Sequence, residues 1–422
     1  MKAILCGKII PVGKEEFDNG HILIDDKGKI KKVGKGFDVP KDAEIIDAKD
    51  LVAFPGIIDA HCHAAVWEEE IGLTLQDGNE MTDPITPQIR VLDAINPVEK
   101  GMRRAISGGV TCICISPGSA NVVGGQMTTI KMHGTIVDKM VVQETAGMKC
   151  AFGENPKRCY GDALKRMPGT RMGSLGLFRQ LMFETQNYMN KAEEYEKKLK
   201  QYKEDLKDYN KKVKGGKDKD TKKPTEPTKP DKDIKYEAMV PILKKELPLR
   251  AHAHQANDIV TAVRLAKEFD VDVIIEHCTY GHKVVDFLAE NKIPAVVGPT
   301  FGFRTKIELR EMTWKTIGIL YKAGVLVSMT ADHPVVPLQF QTLYAAIAHR
   351  EGLPLQGAYE VITLNSAKIL GIDDRVGSIE EGKDADIVLW SGNPLDIQSK
   401  AQKVFIDGEL VYDIETETEE LF

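Results

Sequence analysis

Long apolar runs are missing from this 422-residue chain: none approaches the ~18 residues that a membrane-spanning helix needs, so no transmembrane segment is expected. The start, Met1-Lys2-Ala3-Ile4-Leu5-Cys6-Gly7, offers too short an apolar stretch for a signal-peptide core. Cysteine is sparse and odd in number. The seven, at 6, 62, 112, 114, 150, 159 and 278, lack the dense spacing of a disulfide framework. Cys112 and Cys114 lie two apart inside an apolar run, as buried strand thiols would, and a reducing cytoplasmic compartment is expected. Nor is there an excess of positive charge to mark a nucleic-acid partner, since 57 basic residues stand against 63 acidic ones for a net charge of −6. That balance is uneven: residues 191–235 carry 16 lysines and 11 acidic residues, a surplus of +5, which leaves −11 on the rest. What the chain has in quantity is apolar side chains, 42% of residues, enough to bury a sizeable core without staples.

The first 50 residues alternate β-rich runs with turn signals, as in Ile22-Leu23-Ile24 followed by Asp25-Asp26-Lys27-Gly28. From Leu51 the rhythm changes to apolar strands at 53–60, 111–116, 139–142, 147–152, 249–253, 271–276, 294–297 and 325–330. Helical patterns at 97–107, 259–269, 284–290, 313–323 and 338–350 fall between most of them. Eight strands with intervening helices predict an α/β fold, a closed parallel (β/α)8 TIM-like barrel whose chemistry sits on the loops after the strands. The last 45 residues revert to β character, so residues 1–54 and 376–422 are expected to pair as one small β-sandwich domain beside a barrel at 55–375.

A helical insertion interrupts the barrel at about 185–247. Tyr188, Ala192, Tyr195, Leu199, Tyr202, Leu206, Tyr209 and Val213 follow steps of four and three, the stripe of a coiled-coil-like helix ending at Gly215-Gly216. Residues 217–233, rich in Lys, Pro, Thr and Asp, read as a disordered tip. Residues 234–247 could return along part of the stripe; the rest is left for a second subunit, which would make a homo-oligomer, for another molecule, or for the barrel itself.

The sharpest chemical signal is Ile57-Ile58-Asp59-Ala60-His61-Cys62-His63, two histidines two apart at a strand end, where both imidazoles can converge on one metal ion. Three more strand ends carry such groups: His252 and His254, then Glu276-His277, then Asp332. Five of the ten histidines thus fall where barrel enzymes place ligands. The loop 116–126, with Gly118, Gly124 and Gly125, lacks a phosphate-loop pattern and reads as a loop beside the active site. His133, His282, His333, Lys157, Arg158, Tyr160 and Arg304 fall on presumed loops, where they could contact substrate.

These residues resemble the metal-dependent amidohydrolase superfamily, most of all its imidazolonepropionase-related and prolidase-like branch. The matching stretches are Pro55-Gly56-Ile57-Ile58-Asp59-Ala60-His61-Cys62-His63, Ile275-Glu276-His277, the Asp332 strand end, and the tail from Asn365-Ser366-Ala367 through Gly377-Ser378-Ile379 to Asp386-Ile387-Val388. The resemblance implies a barrel flanked by a β-sandwich of both termini. It also implies His61, His63, His252 and His277 as ligands to one or two divalent ions such as zinc, with Asp332 as ligand and proton shuttle. His254 could replace His252 or touch substrate. A bridging anion on the fourth strand could come from Lys149, carboxylated by CO2, or from Glu154. Such a site would hydrolyse a C–N amide bond of a small molecule such as a dipeptide, N-acyl amino acid or cyclic amide, with His277 and Asp332 beside the reacting atoms. Gln255, three residues after His252, cannot transfer protons, which weakens a ring-amine deaminase reading. Outside enzymology the alternative is a non-catalytic assembly protein on the same fold.

Overall fold

A computed structural model of the protein describes residues 1–69, 76–214 and 222–417. The described strands are β1 (Lys2–Ile9), β2 (Phe17–Ile24), β3 (Ile30–Lys35), β4 (Glu44–Pro55), β5 (Ile57–Cys62), β6 (Val110–Ile115), β7 (Val123–Lys131), β8 (Val141–Ala151), β9 (Leu249–Ala253), β10 (Val273–His277), β11 (Ala295–Val297), β12 (Val327–Met329), β13 (Ile387–Trp390), β14 (Ala401–Ile406) and β15 (Glu409–Asp413). Strands β5 to β12 form an eight-stranded, nearly closed barrel-like sheet; the other seven form a separate sheet in the order β15-β14-β13-β4-β1-β2-β3.

The barrel-like sheet is not all parallel, which corrects the expectation. β5 pairs with β6 in parallel, and β8 through β12 pair in parallel, but β7 runs antiparallel to both neighbours. Sequence periodicity hid β7, because Gly124 and Gly125 open it and made its first residues look like loop. The two runs at 139–142 and 147–152 are instead one strand, β8, preceded by a helical turn at Val137–Met140. Inside the barrel pack Ile58, Cys112, Cys114, Met127, Ile274 and Val296, while Ile113, Cys150, Ala251 and Ile275 face the surrounding helices.

The two ends of the chain share one sheet because β4 is 12 residues long: its residues 44–53 pair with β1 and its residues 52–55 with β13. This single sheet curls until its turns meet, Ala385 N–H donating to Gly28 O at 2.8 Å, where two stacked sheets were expected. A buried cluster joins it to the barrel, with Lys131 at the end of β7 reaching Asp384 and Asp386 at 2.8 Å and Asp407 at 2.6 Å. All seven cysteines are free thiols, six of them buried. No helix among the described residues is long and apolar enough to cross a membrane.

The insertion begins as a 44-residue helix, Arg171–Lys214. Its base is built into the protein: Phe178, Leu181, Met182 and Thr185 are buried, and the Phe178 ring lies 6.2 Å from that of Phe152, just beyond β8. Farther out, Tyr195, Leu199, Tyr202, Leu206 and Tyr209 are half-buried while their neighbours are exposed, as the stripe predicts. Of the tip, 217–221 lies outside the described residues. Residues 222–233 run without helix or strand, and Pro224, Pro227 and Pro230 are their half-buried members, the three-residue repeat of polyproline II. Pro230 lines a cleft of about 500 Å³ together with Tyr188, Ala192 and Tyr195, so this segment returns along the helix.

Phe178→Ala is expected to cost about 3–5 kcal/mol of stability. Tyr202→Ala, on the half-exposed stripe, should cost less than half as much; equal losses in urea unfolding would contradict this placement of the helix.

Candidate metal-binding active site

The barrel-like sheet closes between β12 and β5 through side chains. Asp59, fully buried, accepts from His61 N–H at 3.0 Å and from Ala331 N–H at 2.9 Å, and its second oxygen also accepts from Thr330 Oγ1 at 3.3 Å. The single Thr330 hydroxyl proton is shared between that oxygen and His61 O, the closer of the two acceptors. One carboxylate thus ties the strand that ends in His61 and His63 to the one that leads into Asp332. Burial raises its pKa to about 7 against these three donors.

Two groups of donor atoms result, His61 with His277 and Asp332, and His252 with His254 and His277. His61 Nε2 lies 3.5 Å and His63 Nε2 3.2 Å from Asp332 Oδ1. The His277 ring sits 5.0 Å from His61, 4.4 Å from His252 and 4.9 Å from His254. Regular alternation along β10 would turn His277 outward with Ile275. A left-handed backbone at His277, φ 68°, breaks that alternation, and Asp332 adopts one as well at φ 54°.

The chain fixes these rings from behind. His61 Nδ1 lies 2.9 Å from Glu276 Oε2, and Glu276 is itself paired with buried Arg250, whose Nη2 donates to Ala60 O at 2.7 Å. His63 Nδ1 contacts Ser116 O at 2.7 Å, His277 Nδ1 contacts Gly298 O at 2.7 Å, and His254 Nδ1 contacts Thr279 Oγ1 at 2.8 Å. His63, His277 and His254 thus have Nδ1 hydrogen-bonded, as metal-ligating histidines do when a partner sets their orientation, while His61 Nδ1 has the Glu276 carboxylate close by without a formed hydrogen bond. Burial holds His61, His252 and His254 well below the usual imidazole range and His277 at about 4, so they are neutral at pH 7. At Asp332 burial acts upward, but His277 and His63 outweigh it and keep the carboxylate ionised.

A divalent cation fits this donor set. Both ring nitrogens of His252, Asp332 Oδ1 and Glu308 Oε1 are buried without hydrogen-bond partners, and unpaired polar atoms at such depth are costly unless something binds them. Lys149 is fully buried with Nζ 3.2 Å from His61 Nε2, whereas Glu154 opens a helical turn at Glu154–Lys157, half-buried and outside both groups.

The loop residues divide. His333 is buried beside the site, 3.8 Å from Glu69 Oε1, and its backbone oxygen accepts from His63 N–H. Tyr160 is a buried strut that donates to Asn121 Oδ1 at 2.6 Å. His282 is tied to Thr316 Oγ1 at 2.8 Å. Arg158 is exposed, and Arg304 Nη2 donates to Met312 O at 3.2 Å. His133 lies away from the site, next to Glu409 at 3.6 Å, because antiparallel β7 carries it to the opposite end of the barrel. Asp59, Arg250, Glu276 and Glu308 were given no role from sequence; the first three lay inside the histidine motifs, and nothing local signals Glu308.

A sequence model of the amidohydrolase family matches residues 52–411. The chain belongs to the amidohydrolase family. Amidohydrolase tasK of Hapsidospora irregularis is 32% identical over 412 residues, covering 93% of this chain, which spans 40% of that protein's length. The crystal structure of an amidohydrolase from Thermotoga maritima MSB8 superposes with a TM-score of 0.86 at 43% identity, covering 98% of this amidohydrolase and 100% of that chain. A prolidase complexed with N-methylphosphonate-L-proline shares the fold, with a TM-score of 0.59 at 18% identity over 98% of this chain and 99% of its own.

Two predictions follow from the buried charges. Glu276→Gln leaves Arg250 without its counter-charge and should cost about 3–5 kcal/mol in denaturant unfolding; a loss below about 1 kcal/mol would show the pair to be dispensable. His277 binds no proton between about 4 and its ordinary 6.5 in the folded chain, whereas the unfolded chain does, so its contribution is lost as pH falls through that window. In chelator-stripped protein, His277→Gln should therefore flatten the stability–pH slope there by up to one proton, roughly 1.4 kcal/mol per pH unit. An unchanged slope would contradict a buried neutral ring.

Proposed function

We propose that this amidohydrolase cleaves a C–N amide bond of a small molecule such as a dipeptide, an N-acyl amino acid or a cyclic amide. The observation that carries the reading is the pair of buried donor groups that share His277, His61 with Asp332 on one side and His252 with His254 on the other, with His63 Nε2 3.2 Å from Asp332 and Lys149 Nζ 3.2 Å from His61. These residues would hold a divalent ion such as zinc, which would supply a water with its pKa lowered to about 7 and an electrophilic pull on the amide oxygen. Asp332, ionised and buried among the rings, would hold a proton on its carboxylate and pass it to the departing nitrogen. His277 lies beside Asp332, with Nδ1 turned to Gly298 O and 3.9 Å from Asp332 Oδ2. If a strand residue supplies a bridging anion, the burial of Lys149 and its Nζ 3.2 Å from His61 Nε2 favour a Lys149 carbamate over half-buried Glu154.

The ring-amine deaminase reading is weaker here. Gln255 offers no transferable proton, and its Oε1 accepts from Arg171 Nη2 at 3.2 Å. Free thiols and the lack of net positive charge suit a cytoplasmic enzyme with a small-molecule partner and no nucleic-acid or membrane partner. The projecting arm offers itself for homo-oligomer assembly.

Elemental analysis of purified protein should find a divalent metal, and a screen of dipeptides, N-acyl amino acids and cyclic amides should find turnover. Asp332→Asn should lower kcat by about 10²–10⁴-fold, and His61→Ala should lose metal as well. Metal-free protein, or turnover indifferent to Asp332→Asn, would overturn the reading, and ammonia release from ring amines alone would replace the substrate class.

A further inference from the structure

Glu308 belongs to no strand of the barrel. It lies in the turn Ile307–Leu309 of the long loop after β11, where it is 1% exposed, although Phe303 and Ile307 on the same loop are 90% and 71% exposed. A loop that turns its apolar side chains outward and its carboxylate inward reverses the usual preference, and the carboxylate must be matched by something. Its Oε2 is matched, accepting from Glu154 N–H at 3.0 Å. Its Oε1 has no hydrogen-bond partner and faces the histidines, 3.7 Å from His254 Nε2 and 4.0 Å from His252 Nε2.

Those two separations are a few tenths of an ångström longer than one ion imposes, and His252, His254 and His277 already group without Glu308, so the carboxylate would close in by a small shift of its loop to join them. Ligand atoms held at about 2.0–2.1 Å around a tetrahedral zinc lie roughly 3.4 Å apart. Lys306 Nζ is 3.8 Å from the same oxygen, too far to satisfy it, and burial disfavours its charged form. His252 has neither ring nitrogen paired, and His254 is tethered at Nδ1 with Nε2 directed at Glu308. Two imidazoles and a carboxylate oxygen therefore meet in one buried space beside His277.

We propose that Glu308 is a ligand to a divalent ion held with His252, His254 and His277, so that the loop after β11 is fastened over the site by the ion itself. The inference rests on the metal reading above and adds to it a ligand from outside the barrel strands. His254 then binds metal together with His252.

The test is zinc binding to the full-length chain in competition with a coloured chelator, together with the visible spectrum of the cobalt-loaded protein. Glu308→Gln should weaken one ion by at least about 10–100-fold, the range seen when only an outer supporting group of a metal site is removed, and should alter the cobalt absorption. Glu308→Asp, which keeps the charge but withdraws the oxygens by one methylene, should weaken it less, and it serves if the glutamine variant does not fold. Unchanged affinity and spectrum in whichever variant folds overturn the inference while leaving the metal reading intact. Wild-type protein that takes up no ion overturns both.

Discussion

The site depends on the Asp59 carboxylate. Strands β12 and β5 form no continuous hydrogen-bonded ladder where the barrel-like sheet closes. The seam is made instead by Asp59 accepting from His61 N–H and Ala331 N–H, reinforced by Thr330. Because one partner directly precedes Asp332 and the other is His61, the same contacts that shut the barrel set the spacing between a histidine pair and a carboxylate 271 residues apart in sequence. Burial opposes the charge on Asp59, so the three donors are what make its presence there tolerable.

A second buried chain of contacts runs from Arg250 through Glu276 to His61. Removing such charges from water is costly, and the cost is offset only where each finds a partner. The Arg250 guanidinium also reaches Ala60 O, so the barrel interior below the site is a polar support for the ligand rings as well as an apolar filling. Above this support the histidines are kept neutral by burial, which suits them to bind a cation, while the acidic group among them stays ionised.

Much of this was legible in the sequence. The spacings of His61 with His63 and of His252 with His254 were readable from local alternation, Glu276-His277 and Asp332 only from their position at strand ends, and the structure gathers them into two adjoining groups that share His277, with His63 against Asp332. The tyrosine stripe of the arm was likewise readable, because helical period and burial agree along it. β7 was not readable: its glycines look like a loop, and an antiparallel strand in a barrel of parallel ones has no local signature. The displacement of His133 to the far end of the barrel follows from that one reversal.

The sequence by itself determined which residue types could bind metal and which strand ends would present them, because alternation along a strand is a local property of the backbone. Tertiary structure decided the rest. It chose Lys149 over Glu154 as the neighbour of His61, turned His277 inward through a left-handed backbone, and brought Glu308 from a distant loop against His254. These outcomes depend on contacts between segments tens to hundreds of residues apart, and on backbone angles that the closed barrel enforces, neither of which a local pattern can carry.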